Sequence, residues 1–504
     1  MKNTILLVLI TLSLSAGSAQ DFSQLQLNKI SPDELSRDLE LLWQGIDQYH
    51  SGAYWYTPRD SIKAAFDQVR EQLKDSLTTL GFHRLVAPLV ALTREDHCNI
   101  FLPTDIRRAI FNSALLFPFR VVFLDRKMYV ELDGSNSGKD LRSLEILGIN
   151  GRSPKDLVLL LGQHFSSDGF IERVKYSDLS GFSFAYHHYL EFGEVPSFEL
   201  VYQNENVKLD TIVINARTLP AMREKIQERY SEAERANEEL PPMDFSVLND
   251  STAYLAVRTF DSGDLRQDKR YPSYRKFLAS SFATVVESGI QRLIVDVSDN
   301  TGGNEGNENL LYSYLGENYQ KYIKVRAKAQ DVTLDNGIDP PQRARTFSFL
   351  EKWFFNQRMP DGSYERKPNA GHGLMAYKRE PKHKFEGELF VIISPITYSG
   401  GSEFSNMVYT QTEAIFIGEE TGGGFYGNTS GYGFELELPH SGITVDLPAL
   451  QFVMDVEGLP FGRGVIPHYQ AIPDIQTYLK GPEAILNFIL ELYPRLLDGR
   501  DLKL

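Results

Sequence analysis

Apolar residues recur at helical spacing from Ser31 onward. Leu35, Leu39 and Leu42 form one such series, and further series follow up to about Arg94. The tetrapeptide 31–34 (SPDE) precedes the first series and has the pattern of a helix start: a serine N-cap, a proline at the first helical position and a glutamate in the capping-box position. The pattern predicts a small helical domain over residues 20–110.

Short β-type runs replace the helical spacing between about residues 117 and 216. They are FRVVFL, MYVEL, LEILGIN, SFELVYQ and VKLDTIVI, with turn signals such as Asn150-Gly151 between them. They predict a β-rich domain over residues 111–216. A polar, aromatic insert at 163–194 is expected to form helices or a long excursion, and the charged segment within 217–250 a solvated helix or linker.

An α/β pattern occupies residues 251–504. The runs YLAVRTF and RLIVDV have strand length and flank a helical segment at 274–288, and ELFVIIS, AIFIGEE, ELELP and ITVDLP follow. They predict a mixed sheet with crossover helices. Residues 325–384, rich in Arg, Lys, Asn and Pro, are read either as an excursion over the site or as a loop without a role. The expected fold class is therefore α+β and multidomain.

The first 19 residues, MKNTILLVLITLSLSAGSA, have the layout of a secretory signal peptide: one lysine, a short apolar run and small residues up to Ala19. We expect cleavage after Ala19 and an exported protein, periplasmic or extracellular. No later stretch approaches eighteen uninterrupted apolar residues, so no integral membrane segment is expected after signal removal.

Charge and cysteine content narrow the chemistry further. The formal net charge is -15 and no basic stripe is visible, which argues against a nucleic-acid partner. Cys98 is the only cysteine, which excludes an internal disulfide framework and a zinc site built from cysteines. No metal cluster or dinucleotide fingerprint stands out, and we expect no cofactor.

Ser399 is the first candidate for catalysis. It lies in 394–404 (SPITYSGGSEF), where a predicted strand ends in a turn and opens a helix. Helix N-terminal N–H groups converge at such a turn, which suits a nucleophile and its oxyanion, and the small Gly400 and Gly401 allow a carbonyl to approach. Taken alone, however, a serine at a helix start is usually only an N-cap.

Two glycine-rich segments are candidates for contacts to a substrate. The strand 293–297 ends in Asn-Thr-Gly-Gly, and the N–H groups of Gly302 and Gly303 are candidate oxyanion donors, although an ordinary Gly-Gly turn has the same sequence. Residues 415–431 hold six glycines, among them Gly423 and Gly424, which permit close approach to an extended ligand. This segment lacks the P-loop pattern and also fits a flexible surface loop.

His97 is the candidate general base. A neutral imidazole accepts a hydroxyl proton, and a carboxylate beside it, here Asp96 or Glu95, fixes its tautomer. A lone histidine is more often structural. The adjacent Cys98 is a rival nucleophile, but neighbouring side chains point in different directions, so a Cys98–His97 dyad is geometrically poor.

Taken in order, these segments resemble the serine peptidase family of the C-terminal processing (tail-specific) peptidases and the tricorn protease core. LIVDVSDNTGG (293–303) is similar to its L-I-x-D-L-R-x-N-x-G-G, TYSGG (397–401) to T-x-S-small-small, GEETGG (418–423) to G-x-x-T-x-G, and GRGVIP (462–467) to the first six positions of G-x-G-I-x-P-D. The resemblance covers most of the mature chain. It implies a ClpP/crotonase-like catalytic domain and proteins or peptides as substrates.

The resemblance implies roles for individual residues. Ser399 is expected to be the nucleophile, with the Gly400 N–H and a Gly302 or Gly303 N–H as the oxyanion hole. The place of the family's catalytic lysine is taken by Gly424, so the tricorn-like Ser/His arrangement with His97 as base is expected. The carboxylate that orients the histidine has no clear counterpart; Glu457 is the nearest acidic candidate, and Asp96 or Glu95 are alternatives.

Residues 143–152 (SLEILGINGR) resemble part of a PDZ domain, although the usual Gly-Asp is absent. A PDZ-like domain would capture an extended peptide by strand addition. The leading hypothesis is a secreted serine endopeptidase. Departures from the family pattern at Ser298, Gly424 and His468 leave open the alternative hypothesis of a catalytically weak or inactive exported peptide-binding protein. An esterase on the same fold is a third hypothesis. The oligomeric state is not predicted.

Overall fold

A computed structural model describes residues 28–203, 209–231, 240–335, 341–368 and 381–497. The predicted signal peptide and its cleavage site lie outside this range, as do residues 232–239 of the charged segment. Among the helices of the described part, none combines the length and the apolar composition that crossing a membrane requires.

Three helices form the N-terminal part of the molecule, and the capping box predicted for the first is present. Ser31 N–H donates to Glu34 Oε2 over 3.0 Å, and Glu34 N–H donates to Ser31 Oγ over 3.4 Å. The predicted apolar series faces the interior, with Leu35, Leu39 and Leu42 fully buried. The elements are α1 (Pro32–Gln48), α2 (Arg59–Gln72), α3 (Thr79–Ala91), β1 (Ile100–Phe101) and α4 (Thr104–Ser113).

A five-stranded antiparallel sheet follows, with its strands in chain order. The strands are β2 (Phe119–Leu124), β3 (Lys127–Asp133), β4 (Glu145–Ile149), β5 (Ser197–Gln203) and β6 (Leu209–Asn215). The helices are α5 (Pro154–Leu161), α6 (Glu172–Asp178), α7 (Ser183–Phe192) and α8 (Leu219–Arg229). The insert at 163–194 is thus partly helical, and α6 and α7 belong to it.

The insert also covers one edge of this sheet. Gly181 N–H donates to Val121 O over 2.7 Å, and Val121 N–H donates to Gly181 O over 3.2 Å. Since β2 is an edge strand, the chain itself occupies a position at which an added peptide strand would pair. Strand addition at β2 would therefore require Gly181 to move.

A second sheet carries the α/β part of the molecule, in the order β19-β16-β15-β9-β8-β7. All neighbours are parallel except β7, which is antiparallel to β8, so the predicted mixed sheet is confirmed. The strands are β7 (Met243–Asn249), β8 (Thr252–Val257), β9 (Arg292–Asp296), β15 (Glu388–Ile393), β16 (Ile415–Gly418) and β19 (Tyr469–Gln470). The helices are α9 (Ser262–Gln267), α10 (Tyr274–Glu287), α11 (Asn307–Tyr312), α12 (Phe349–Phe354), α13 (Gly400–Gln411), α14 (Ile475–Tyr478) and α15 (Pro482–Leu497).

The remaining strands form a third, antiparallel sheet and a small hairpin. The sheet runs β1-β18-β10-β14-β13, with β17 also paired to β18, and β11 pairs with β12. The strands are β10 (Tyr322–Ala327), β11 (Asp331–Leu334), β12 (Gln342–Arg345), β13 (Asn356–Arg358), β14 (Tyr364–Arg366), β17 (Gly427–Glu437) and β18 (Thr444–Met454). The predicted strand ITVDLP lies almost wholly in β18 and ELELP begins in β17; these two strands form a hairpin outside the parallel sheet.

This β17–β18 hairpin completes the core of the N-terminal helices. Leu436, Val445 and Leu447 are fully buried in the same apolar cluster as the side chains of α1. Asp38 of α1 fixes the contact: its carboxylate accepts hydrogen bonds from the Ser441 N–H at 2.8 Å, the Ser441 hydroxyl at 2.7 Å and the His440 N–H at 3.1 Å. The segment that ends in His97 is thereby attached to the C-terminal part of the chain.

Candidate active site

Ser399 ends the turn after β15 and immediately precedes α13. Its φ of +48° and ψ of -121° lie outside the regions that residues other than glycine ordinarily adopt. The turn is well held: Thr397 Oγ1 donates to Val297 O over 3.0 Å, and Glu403 N–H donates to Ser399 O over 2.9 Å. A strained serine between a strand and a helix is the local geometry of a nucleophile elbow.

The Gly-Gly turn after β9 packs directly on this serine. A Cβ at Gly302 would lie 2.6 Å from Ser399 Cβ and 3.1 Å from Ser399 Oγ, so only glycine fits. Its φ of +99° also favours glycine. Gly302 N–H donates to Asn300 Oδ1 over 2.8 Å, which leaves Gly303 as the donor that this turn offers to a ligand. Gly400 opens α13, where the first N–H groups have no partner within a helix.

His97 lies in the loop between α3 and β1, beside the buried carboxylate of Asp168. Burial lowers the pKa of His97, while the charges of Asp168 and Glu403 oppose that shift. His97 Nδ1 is buried and finds no hydrogen-bond partner among the described residues. Burial therefore favours the neutral imidazole, and the negative charges that would stabilise an imidazolium come from two other segments of the chain.

Asp168 is fixed by two backbone amides from separate parts of the chain. Asp96 N–H donates to Asp168 Oδ1 over 2.8 Å, and Gly424 N–H donates to Asp168 Oδ2 over 3.0 Å. The side chain is fully enclosed, and burial raises its pKa, an effect that His97 and the two amides oppose. Asp168 thus connects the loop that holds His97, the histidine loop, to the glycine-rich segment 415–431, which we call the glycine-rich loop.

The glycine-rich loop connects Asp168 to the serine turn. Gly422 and Gly423 N–H both donate to Thr397 O, over 3.1 and 3.2 Å. A Cβ at Gly423 would lie 2.3 Å from Ser402 Oγ and 3.3 Å from Ser399 N, so close packing requires glycine here. Gly424 carries the amide that holds Asp168. The structure therefore brings the serine turn, both glycine segments and the histidine loop to one place.

The segment that contains the candidate site is similar to a known peptidase family. Residues 251–471, which contain the serine turn and both glycine segments, match the sequence model of peptidase family S41. This segment belongs to peptidase family S41. The S41 peptidase is accordingly a serine peptidase, as the resemblance implied. A search of the curated proteins finds no match to it.

Solved structures extend the likeness over almost the whole chain. The structure of mature CPAF complexed with lactacystin is 15% identical with a TM-score of 0.62, and covers 93% of this chain and 99% of its own. The crystal structure of mature CPAF is 15% identical with a TM-score of 0.60, and covers 94% and 99%. At this identity the likeness establishes a shared fold alone. The predicted α+β multidomain architecture of the S41 peptidase is confirmed.

Three acidic residues offered by the sequence as partners of His97 lie in different environments. Glu457 is exposed in the loop after β18. Glu95 is fully buried, and its Oε2 accepts hydrogen bonds from Thr429 N–H at 3.1 Å and Thr429 Oγ1 at 2.8 Å. Asp96 contacts Asp168 through a hydrogen bond from its backbone N–H. Burial and the charges of Asp168 and Asp178 raise the pKa of the Asp96 carboxyl well above its ordinary value.

Cys98 is a packing residue of the S41 peptidase. It is fully buried in the core of the N-terminal helices, and burial raises the pKa of its thiol. A protonated, enclosed thiol is a poor nucleophile, which agrees with the geometric argument against a Cys98–His97 dyad.

Sequence reasoning missed Asp168 and Glu403 as neighbours of His97. Asp168 lies in the aromatic insert, where the polar run 166–169 (SSDG) between two phenylalanines was the available signal. Glu403 accepts hydrogen bonds from Tyr322 Oη at 2.8 Å and Asn428 Nδ2 at 3.0 Å, and pairs with Lys321 Nζ at 2.7 Å. Within the described ranges, no group of three or more His, Cys, Asp or Glu side chains could hold a metal ion.

Proposed function

We propose that this S41 peptidase is an exported endopeptidase in which Ser399 is the nucleophile, His97 the general base and Asp168 the carboxylate whose charge stabilises protonated His97. The observation that carries the proposal is the linkage of strained Ser399, through the glycine-rich loop, to the buried Asp168 beside His97. A strained serine at a helix start suits a nucleophile, and a buried carboxylate near a histidine suits a base that becomes positively charged during the reaction.

The chemistry is acyl transfer. His97 takes the proton of the Ser399 hydroxyl as Oγ attacks the peptide carbonyl, and the N–H groups of Gly400 and Gly303 hold the oxyanion. The protonated His97 then delivers its proton to the leaving amine, which releases the first product and leaves an acyl-enzyme. Water, deprotonated by His97, hydrolyses the ester. The backbone at Gly423 and Gly424 borders the serine turn and is proposed to contact the substrate chain.

Asp168 is the carboxylate that supports His97 in this proposal, in place of Glu457 or Asp96. Its charge acts on His97 from an enclosed position, where electrostatic interactions are strong, whereas Glu457 is exposed to solvent. Asp168 also stands next to Gly424, at the place of the family's lysine. An acidic partner for the histidine at that place is consistent with a Ser/His mechanism rather than a Ser/Lys one.

Hydrolysis of an unfolded protein tests this proposal against a peptide-binding protein without activity. Wild type is expected to cleave, while Ser399→Ala and His97→Ala are each expected to lose activity by at least about 10³-fold and to retain their folded state. Peptide and ester substrates compared side by side separate a peptidase from an esterase. Intact substrate with wild type, or equal cleavage by Ser399→Ala, contradicts the proposal.

Export has its own test. The mature protein recovered from outside the cytoplasm is expected to begin at Gln20, as determined by N-terminal sequencing. A chain that keeps residues 1–19 and stays in the cytoplasm contradicts the export part of the proposal, and leaves the catalytic part untouched.

A further inference from the structure

Helix α12 and the residue that follows it expose four large aromatic side chains to solvent. Phe349, Trp353 and Phe354 are 65%, 66% and 68% exposed, and Phe355 at the end of the helix is 38% exposed. The rings of Phe349 and Trp353 lie 6.3 Å apart, so they form one patch. Single exposed apolar residues are common on proteins, but four large aromatic residues within seven positions mark an interaction site. We name these four residues the aromatic patch.

The backbone under the aromatic patch is held by polar contacts that do not use the aromatic rings. Ser348 and Glu351 form a capping box at the start of the helix. At its other end, Lys367 Nζ donates to Trp353 O over 2.8 Å, and Lys367 N–H donates to Phe355 O over 2.9 Å. The helix is therefore fixed to the β13–β14 hairpin, which keeps the aromatic side chains outward.

The charge around the aromatic patch is opposite to that of the whole chain. Residues 341–368 contain six Arg or Lys and three Asp or Glu, whereas the chain has a formal net charge of -15. Two of the three acids are paired with cations of β10, Asp361 with Arg326 and Glu365 with Lys324, and one of the six cations, Arg345, is paired with Asp331. The segment therefore presents a net positive charge beside exposed aromatic rings.

We propose that the aromatic patch binds the surface of an anionic lipid bilayer, with the rings in the interfacial region and the basic side chains against the headgroups. Segments that lie in a membrane interface combine Trp and Phe side chains with surrounding Lys and Arg. Anionic lipids attract such a cluster, with an affinity that falls as salt rises. This inference is independent of the proposed catalytic residues.

A second copy of the chain is a less suitable occupant. In a two-fold symmetric dimer the same surface meets itself, so two positively charged segments would face each other. Lipid headgroups of negative charge instead complement the basic residues while the rings leave water.

Vesicle sedimentation with the full mature chain tests the proposal. Wild type is expected to sediment with phosphatidylglycerol/phosphatidylcholine vesicles, less so as salt rises, and weakly with phosphatidylcholine alone. The double variant Trp353→Ser/Phe354→Ser is expected to bind at least about tenfold more weakly. The matched control Leu159→Ser/Val213→Ser removes two side chains that are equally exposed, 61% and 62%, and is expected to bind like wild type.

Fluorescence of the intact protein gives a second readout that needs no disruptive variant. Brominated phosphatidylglycerol is expected to quench part of the wild-type tryptophan emission, and Trp353→Phe is expected to remove that part. Equal binding by the double variant, no quenching at Trp353, or no binding by wild type overturns the proposal. Self-association that the double variant abolishes, without any vesicle binding, would assign the patch to a second copy of the chain.

Discussion

The carboxylate of Asp168 is expected to contribute to catalysis through the charge it places beside His97. In Asp168→Asn the plateau of kcat/KM should fall by about 10²–10⁴-fold, because a neutral amide cannot stabilise the imidazolium. The acid limb should also shift. Asp168 raises the pKa of His97 against the effect of burial, so its loss lowers that pKa, and the acid limb moves to lower pH. A pH profile of kcat/KM measures both effects.

Glu457→Gln is the matched control for this prediction, because it neutralises the exposed carboxylate that the sequence offered for the same role. We expect its pH profile to follow that of wild type. A large loss in Glu457→Gln together with a near-normal Asp168→Asn would reverse the assignment of the two residues.

Gly302 is expected to tolerate no side chain, because its neighbour is the nucleophile. Gly302→Ala places a Cβ 2.6 Å from Ser399 Cβ and should lower kcat by about 10²-fold or more. Gly306→Ala is the control: Gly306 has the same φ of +99°, but a Cβ there meets nothing within 4 Å. The backbone strain is shared, so the difference in kcat reports crowding at Ser399. Equal losses in both variants would contradict this account.

Site residues could be predicted from the sequence where the residues next to them form a recognisable pattern. The Ser399 turn and the Gly302–Gly303 turn each follow an apolar run of strand length, and that pattern is local in the sequence. Asp168 follows no predicted strand, and the polar run around it does not reveal its role, because that role depends on Asp96 and Gly424, which are distant in the sequence. The exposure of Glu457 likewise depends on the loop in which it lies.

At the scale of elements, the nucleophile helix α13 rests on a buried charge cluster. Lys321 is fully buried, with its Nζ 2.6 Å from Glu308 Oε1 and 2.7 Å from Glu403 Oε2. Burial opposes the charged form of Lys321, but the carboxylates of Glu308, Glu403 and Glu305 together raise its pKa. Burial raises the pKa of Glu305 to about 7, against the attraction of Lys321.

Removal of this lysine is expected to destabilise the fold. Lys321→Met leaves Glu308 and Glu403 as buried charges without their cation, and should lower the free energy of unfolding by about 3–5 kcal/mol, measured by urea denaturation. Lys324→Met is the control: this lysine is 41% exposed and pairs with Glu365 at 3.1 Å, so its loss should be below about 1 kcal/mol. Similar losses of unfolding free energy in the two variants would show that the buried cluster contributes no more to stability than an exposed ion pair.

The elements themselves were largely predictable. Helical spacing and the Ser31 capping box identified α1, and apolar runs of strand length identified β8, β9 and β15, because these signals are local. The β17–β18 hairpin was not assigned to its sheet. The alternation of apolar and polar residues at 434–437 and 444–447 predicts strands but not their partners. Packing on α1 through Asp38 is what holds the hairpin outside the parallel sheet.

At the scale of the whole molecule, the site is assembled from parts that the sequence separates. His97 comes from the N-terminal helices, Asp168 from the insert of the β-rich sheet, and Ser399 from the α/β sheet. The contacts that join them are the α1–hairpin contact at Asp38 and the two amides on Asp168. Sequence patterns predicted three parts, but the convergence of His97, Asp168 and Ser399 follows from long-range contacts that no local pattern encodes.

Covalent labelling is the most direct test of the central claim, that this assembly activates Ser399 as a nucleophile. Wild type, Ser399→Ala, His97→Ala and Glu457→Gln are each treated with a fluorophosphonate, and the intact mass is recorded over time. We expect one adduct on wild type and on Glu457→Gln, located at Ser399 by peptide mapping, much slower labelling of His97→Ala, and none of Ser399→Ala. Equal labelling of wild type and Ser399→Ala, or an adduct mapped to another residue, would contradict the account.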